Sequence, residues 1–563
     1  MPTLSEYKAT VRIEIFRNPD CGSCSFRISG VTSTKSVIVK LREYRRQSYR
    51  LSGVLKMAIA KLAPHVMVKA GAGTGKTTTI VSGLFHAKGL PVSITPSTQQ
   101  RAIWDEIAKS RDAKSIRFCA FNKSIATELQ NRVPSGVEAC TTHSLGFKLV
   151  RDAFGSRVRV SQYRISNILC EILKGEYKQL WQEKFVVMSA TEKLVNLCKQ
   201  TLTTDFSPES LDEITNYYDI ELADNNSSNR SEVYSLVPQV IERCKLVKKD
   251  NEIDFTDMVW LPVALNLPAK PVDLLLVDEF QDVNRCQQEL AKKCGRRLVC
   301  VGDEKQAIYA FAGADSESMK RLEQELSATP AGCVVLPLNE TRRCGKAIVA
   351  EANKIVPDFY AHSSNPEGTV TYSTFTDNGY RAEIAEGDMA LCRVNAPLIQ
   401  ECFRFLKLGR KANIQGRDVG QGLISLIKKQ KADDITQLVA KLSEWLEKET
   451  LKERAKKRPN ENKIITMQDK VDCICIFTEG CDSIRCVIDK IEGIFTDDHN
   501  TKCIKFSSIH KAKGLESDNV FLLEPKGATM PHPLAKTPQA VEQEFNLLYV
   551  AITRAIHKLV RVK

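Results

Sequence analysis

The stretch HVMVKAGAGTGKTTTIV, residues 65–81, decides how the rest of the chain is read. Val66, Met67 and Val68 form an apolar strand that runs into a glycine-rich turn and then into a segment able to start a helix. Gly71, Gly73 and Gly75 let consecutive backbone N–H groups curl around a phosphate, and the start of the helix adds its partial positive charge. On this reading Ala70, Gly71, Ala72, Gly73, Thr74, Gly75, Lys76, Thr77 and Thr78 cradle a nucleoside triphosphate. Lys76 would reach the β- and γ-phosphates, and the Thr77 hydroxyl would ligate Mg²⁺. The strict pattern begins with glycine where this chain has Ala70, so the match is AxxxxGKT. A chance glycine-rich turn would supply the glycines without a strand before them and a helix after them. The cofactors expected from the loop are a nucleoside triphosphate and Mg²⁺.

Such a loop needs carboxylates across from it, and VDLLLVDEFQDVNR, residues 272–285, supplies them. Leu274, Leu275, Leu276 and Val277 run without polar alternation, as in a central parallel strand covered on both faces. Asp278 and Glu279 at its end are costly to hold side by side unless something cationic meets them. An acidic surface loop is the plain alternative. Placed beside the phosphate loop, Asp278 would hold Mg²⁺ through its waters, and Glu279 would orient and deprotonate the water that attacks the γ-phosphate. The sheet would act as a low-dielectric wall that strengthens both effects.

Composition agrees without adding much. The chain has 563 residues, 43% hydrophobic and 26% charged, which is the balance of a globular protein of several domains. Lys and Arg number 81 against 68 Asp and Glu, a net +13 that suits a polyanionic partner. No apolar run reaches the length of a membrane helix, and the charged N-terminus MPTLSEYKATVRIEIF lacks the apolar stretch of a signal peptide. A cytoplasmic location with no membrane partner is expected. Of the 19 cysteines, Cys21 and Cys24 have CxxC spacing without a second pair, and Cys473, Cys475, Cys481 and Cys486 lie among Val, Ile and Phe. Both groups are expected to be structural rather than metal-binding.

The motifs form an ordered series: AGAGTGKT (70–77), FNKSIATEL (121–129), TTHSLGF (141–147), DFTDM (254–258), VDEFQDVN (277–284), VGDEKQAIYAFAGAD (301–315), TRRCGKAIVAEAN (341–353), SSIHKAKGLES (507–517) and NLLYVAITRA (546–555). This series resembles the UvrD/Rep-like branch of superfamily 1 DNA helicases over roughly residues 60–563, and Ala70 is the usual variant in that branch. The resemblance makes the nucleotide ATP and implies roles residue by residue. Gln306 contacts the γ-phosphate or the attacking water. Arg343 and Arg554 approach the γ-phosphate from a second motor domain as arginine fingers, each contributing roughly 10³–10⁵ in rate. Glu516 contacts the ribose, and His510 links nucleotide state to grip on DNA. Asn122, Thr142 and His143 contact the phosphodiester backbone, which positions a strand without reading its sequence. Tyr309 and Phe311 present rings to single-strand bases, where stacking contributes about 1–3 kcal/mol per base. Local helix capping for the backbone-contact residues, and core packing for the two rings, are the plain alternatives.

The expected fold is α/β: two RecA-like P-loop NTPase domains with parallel sheets, each interrupted by a mainly helical insertion. The first spans 55–330, with an insertion at about 150–250 marked by the stripe Ile165, Ile168, Leu169, Ile172 and Leu173. Sheet is expected to resume at DFTDMVWLP. The second spans 331–563, with a small insertion at about 421–500 marked by Ile435, Leu438, Val439, Leu442 and Leu446 and followed by the basic run KERAKKRPNEN. With Lys563 soon after the last motif, no C-terminal nuclease domain is expected. Residues 1–54 have no assigned role, and Gln47 is poorly placed to read adenine.

The expected activity is ATP-driven 3′–5′ movement along single-stranded DNA with unwinding at duplex junctions, the direction coming from the resemblance alone. A translocase that strips bound proteins with little unwinding, and an ATP-dependent switch without motor activity, remain open. So does RNA as the strand, since phosphate contacts and stacking do not distinguish the sugars. Protein partners cannot be read from the sequence.

Overall fold

The computed structural model describes residues 12–17, 24–29 and 63–563, except 121, 178, 181–183, 219–226, 309–317, 456–460, 497–501, 534 and 536–537. Gln47, Cys21, Tyr309, Phe311 and most of the basic run after Arg454 lie outside the described residues.

Counting the strands of the two central sheets, the first sheet contains β1 (His65–Ala70), β2 (Ile116–Ala120), β3 (Val137–Thr141), β4 (Val272–Val277), β5 (Gly295–Gly302) and β6 (Cys333–Leu338). They lie in the order β6-β1-β5-β4-β2-β3, every neighbouring pair parallel. The unbroken apolar run of β4 is explained by this position: β5 flanks it on one side, β2 on the other, and the chain covers both faces. Because all six strands point the same way, the segments that follow them emerge along one edge. Those segments include the glycine loop, Asn122, Thr142, Asp278, Asp303 and Thr341. Ligands of open parallel sheets bind at such an edge. The sixth strand comes from beyond residue 330, so the first sheet draws on chain expected to belong to the second domain.

The second sheet contains β7 (Thr369–Ser373), β8 (Met389–Cys392), β9 (Ala412–Gln415), β10 (Phe495–Thr496), β11 (Ile504–Ser508), β12 (Ser517–Leu523) and β13 (Ala555–Val562). Its order is β7-β13-β12-β8-β11-β9-β10, again wholly parallel. The two sheets have separate cores, and the chain is α/β with two RecA-like units.

Both helical stripes are helices. The first lies on Arg164–Leu173, which buries Ile165, Ile168 and Leu169 in a core shared with one face of the first sheet. Helices Phe185–Thr201, Pro208–Tyr217 and Ser227–Cys244 complete that insertion. The second stripe lies on Ile435–Arg454, which packs against Glu461–Thr478, and that helix in turn packs against Ile484–Ile494. Cys473 is buried there, Cys475 and Cys481 pack against the same core, and Cys486 Sγ lies 2.8 Å from Cys481 Sγ.

One expectation is corrected. DFTDMVWLP does not resume the sheet: after a two-residue strand, Glu252–Ile253, it forms a turn and the helix Asp257–Ala264. Asp254 and Asp257 each accept a hydrogen bond from the other's backbone N–H, at 2.7 and 3.0 Å, which turns the chain and leads into the helix. The apolar run that suggested a strand is a short helix buried nearly all round.

Candidate nucleotide and strand-binding site

The loop after β1 is shaped by glycine. Gly73 and Gly75 hold φ of 65° and 75°, values that disfavour any side chain. A Cβ on Gly73 would lie 2.5 Å from the Cβ of Arg343, so the loop touches the arginine segment directly. Two backbone bonds tie it to distant motifs: Arg342 N–H donates to the Gly73 carbonyl at 3.1 Å, and Ala72 N–H donates to Tyr549 Oη at 2.9 Å. Helix Lys76–Ala87 then begins with Lys76 and Thr77 facing the end of β4.

There Thr77 Oγ1 donates to Asp278 Oδ2 at 2.5 Å, and Lys76 Nζ stands 3.6 Å from Glu279 Oε2. Glu279 occupies the left-handed region at φ 48°, a strained conformation of the kind that collects at functional sites. Gln281 spans the cluster: its amide nitrogen donates to Glu279 Oε2 at 2.7 Å and its amide oxygen accepts from Asp303 N–H at 2.9 Å.

The electrostatics follow from crowding. Burial, followed by the neighbouring Glu279 charge, pushes Asp278 up to about 6. Burial pushes Asp303 up to about 6 as well, and among the described residues its Oδ2 has no hydrogen-bond partner. Burial also works on Glu279, but Lys76, the Gln281 hydrogen bond and Lys513 outweigh it and hold that carboxyl below its ordinary range. For Lys76, burial opposes the charge, and Glu279, Asp303 and Asp278 together overcome it, so its ammonium is held above the ordinary value. Two buried carboxylates, Asp278 and Asp303, and the half-buried Glu279 thus lie around Lys76. An unpaired carboxylate oxygen, a hydroxyl and surplus negative charge make a hard oxygen donor set that fits Mg²⁺.

The other half of the site comes from the second unit. Arg343 pairs with Glu516 at 2.6 Å, and Arg554 is buried, with Nη1 donating to the Leu515 carbonyl at 3.0 Å. Burial and then the Arg343 charge lower Arg554 to about 10, while the Arg554 charge acts on Lys76. Arg343 therefore lies against the loop, and Arg554 stands within electrostatic reach of Lys76. Cys344 is wholly buried with Sγ toward the Thr553 carbonyl, which leaves Arg343 at the loop and Arg342 exposed. Lys513 joins the units across the cleft, donating to both oxygens of Asp282 and to the Gln306 carbonyl, each at 2.7 Å.

Of the expected strand contacts, Asn122 and Thr142 follow neighbouring strands, Ala120 pairing with Thr141. Asn122 caps helix Lys123–Arg132 by accepting from Ile125 N–H at 2.8 Å, the local capping role that was the plain alternative. Thr142 is buried at the start of helix Thr142–Phe154. His143 stacks on Phe255 with ring centroids 4.1 Å apart and planes at 24°. Burial lowers His143 to about 4, and burial followed by Arg393 lowers His510 to about 3, so both imidazoles are neutral at neutral pH. The sequence reading passed over Gln281, Asp303, Lys513, Tyr549 and Phe255. Each sits inside a quoted motif, and that membership was the signal that could have found them.

The UvrD/REP helicase N-terminal domain model matches residues 53–327, and the UvrD-like helicase C-terminal domain model matches residues 195–562. The chain is similar to a probable DNA helicase II homolog of Mycoplasma pneumoniae, 26% identical over 318 residues that cover 54% of this chain and 41% of that protein. It is similar to ATP-dependent DNA helicase Rep of Escherichia coli, 24% identical over 360 residues covering 60% and 46%. It is also similar to ATP-dependent DNA helicase PcrA of Bacillus subtilis, 25% identical over 362 residues covering 60% and 43%. The chain thus matches less than half the length of these relatives. Among the described residues, no helix is long and apolar enough to cross a membrane.

Proposed function

The chain belongs to the UvrD/REP helicase family, and from that premise we propose that it is an ATP-driven motor on single-stranded DNA, moving 3′–5′ and unwinding duplex at a junction. The observation that carries the reading is the meeting of Lys76, Asp278 and Glu279 with Arg343 and Arg554 around one glycine loop. Residues from both units meet there, so opening and closing the cleft would assemble and dismantle the hydrolytic set.

In this mechanism the loop amides and Lys76 bind the triphosphate, and Thr77 and Asp278 hold Mg²⁺. Mg²⁺ held by Thr77 and Asp278 would supply positive charge that offsets the phosphates' negative charge. Glu279 accepts a proton from the attacking water, and Gln281 fixes that carboxylate by its hydrogen bond. Gln306 orients the water or the γ-phosphate. Arg343 and Arg554 stabilise charge developing in the transition state. Glu516 would exchange its pairing with Arg343 for the ribose.

For the strand, the His143–Phe255 ring pair adds a stacking surface to the expected contacts, since Phe255 is 60% exposed and the neutral imidazole beneath it carries no repelling charge. A translocase with little unwinding is the second reading, favoured by the small second insertion.

The test is ATPase turnover with and without single-stranded DNA or RNA, followed by displacement of 3′- and 5′-tailed duplexes. Stimulation by DNA and displacement of the 3′-tailed duplex are expected. Turnover indifferent to DNA would sink the motor reading, and stimulation by RNA alone would replace the substrate.

A further inference from the structure

Four buried charges lie away from the nucleotide site. Lys199, 0% exposed on helix Phe185–Thr201, has Nζ 2.5 Å from Asp254 Oδ2 and 2.7 Å from Asp257 Oδ1. Arg164, at the start of helix Arg164–Leu173, donates to Asp257 Oδ2 at 2.8 Å and to the Cys244 carbonyl at 2.9 Å. Cys244, Asp254 and Asp257 are close enough together to suggest a metal site, but the Lys199 ammonium fills that place. Two cations meet two anions, so nothing is left for an ion to neutralise.

The position of the two acids is informative. They flank the two-residue turn Phe255-Thr256, and their reciprocal bonds to each other's N–H close it. With both carboxylates drawn inward, Phe255 is left outside on the ring of His143. His143 is itself fixed at close range. Its helix crosses the Asp257–Ala264 helix so tightly that a Cβ on Gly146 would lie 2.2 Å from the Met258 carbonyl oxygen. The ring pair therefore rests on backbone held from two directions, and one of the two supports is the helical insertion.

We infer that Lys199 and Arg164 are positioning residues for strand binding: the insertion uses them to lock the Asp254–Asp257 turn and so present Phe255 to an unpaired base. The inference rests on the stacking role proposed for the ring pair and assigns that role its support. It also gives the first insertion a task in gripping the strand without requiring that it touch DNA.

The test measures affinity for fluorescein-labelled oligodeoxythymidylate by anisotropy and turnover at saturating oligonucleotide, on the full chain. Phe255→Ala should weaken binding roughly 5- to 150-fold, the range expected when one stacking ring is removed. Lys199→Met should weaken binding by a similar factor while turnover at saturating oligonucleotide stays near the parent's. Breaking a buried pair by removing one partner is costly to the fold, so Lys199→Met/Asp254→Asn, which restores charge balance, is measured beside it. Adding Phe255→Ala to either variant should cause little further loss, because the ring is already misplaced. Parental affinity in the charge-balanced variant, or losses that multiply with Phe255→Ala, would overturn the positioning role while leaving the stacking surface intact. Unchanged affinity in Phe255→Ala itself would remove the stacking surface, and the support assigned to it falls with it.

Discussion

The first unit holds two buried lysines among aspartates, and they are built to opposite ends. Around Lys199, two cations meet two carboxylates at 2.5–2.8 Å. Around Lys76, one ammonium faces Asp278, Glu279 and Asp303, its nearest carboxylate oxygen standing 3.6 Å away. The balanced set is closed and holds backbone in place. The unbalanced set carries surplus charge, a strained Glu279 and an unpaired Asp303 oxygen, all of which cost stability unless a cation and a triphosphate complete it. Proximity of acids therefore does not mark a ligand site, whereas a charge imbalance held in place by the fold does.

The contrast breaks most readily at its largest effect. Lys76→Ala should remove measurable ATP turnover, whereas Lys199→Met should retain turnover at saturating DNA; equal losses in steady-state assays would erase the distinction. Glu279→Gln should also stop turnover while nucleotide binding, followed by equilibrium titration, stays largely intact. Arg554→Ala should lower kcat by roughly 10³–10⁵-fold, and a loss of tenfold or less would place that guanidinium outside the reaction.

Gly146→Ala comes next. Its Cβ would collide with a backbone oxygen that cannot rotate away, so a cost of about 1–3 kcal/mol in denaturant unfolding is expected. Weaker oligonucleotide binding should accompany it, because the collision separates His143 from Phe255.

The smallest effect sharpens the charge argument. Asp303 keeps its proton up to a pH of about 6 in the fold but releases it near its ordinary lower value when unfolded. Raising the pH between those values therefore favours the unfolded chain, and the penalty is complete above about 6. Asp303→Asn should raise the unfolding temperature of the ligand-free protein at pH 7.5, by an amount that shrinks as the pH falls through that window. A gain that instead grew on acidification would contradict the assigned cause.

Much of the architecture was legible before any coordinates. The phosphate loop, the two-sided apolar run of β4 and the helical stripes are local patterns, each written in consecutive residues with its own period. DFTDMVWLP misled because a short helix buried all round has the same apolar run as a central strand. Only the reciprocal bonds of Asp254 and Asp257 decide between them. Asn122 shows the opposite limit, since a capping side chain and a backbone-contacting one look alike in sequence, and the cap at Ile125 does not decide between them.

The amino-acid sequence by itself determined the chemistry available: a glycine turn able to receive phosphate, an acidic pair to meet it, and the order of segments shared with a helicase family. Tertiary structure alone decided which charges meet. Lys199 finds Asp254 across 55 positions and Lys513 finds Asp282 across 231. An ion pair closed over such distances leaves no periodic trace in the chain, because it depends on how helices and strands pack rather than on the spacing of neighbouring residues.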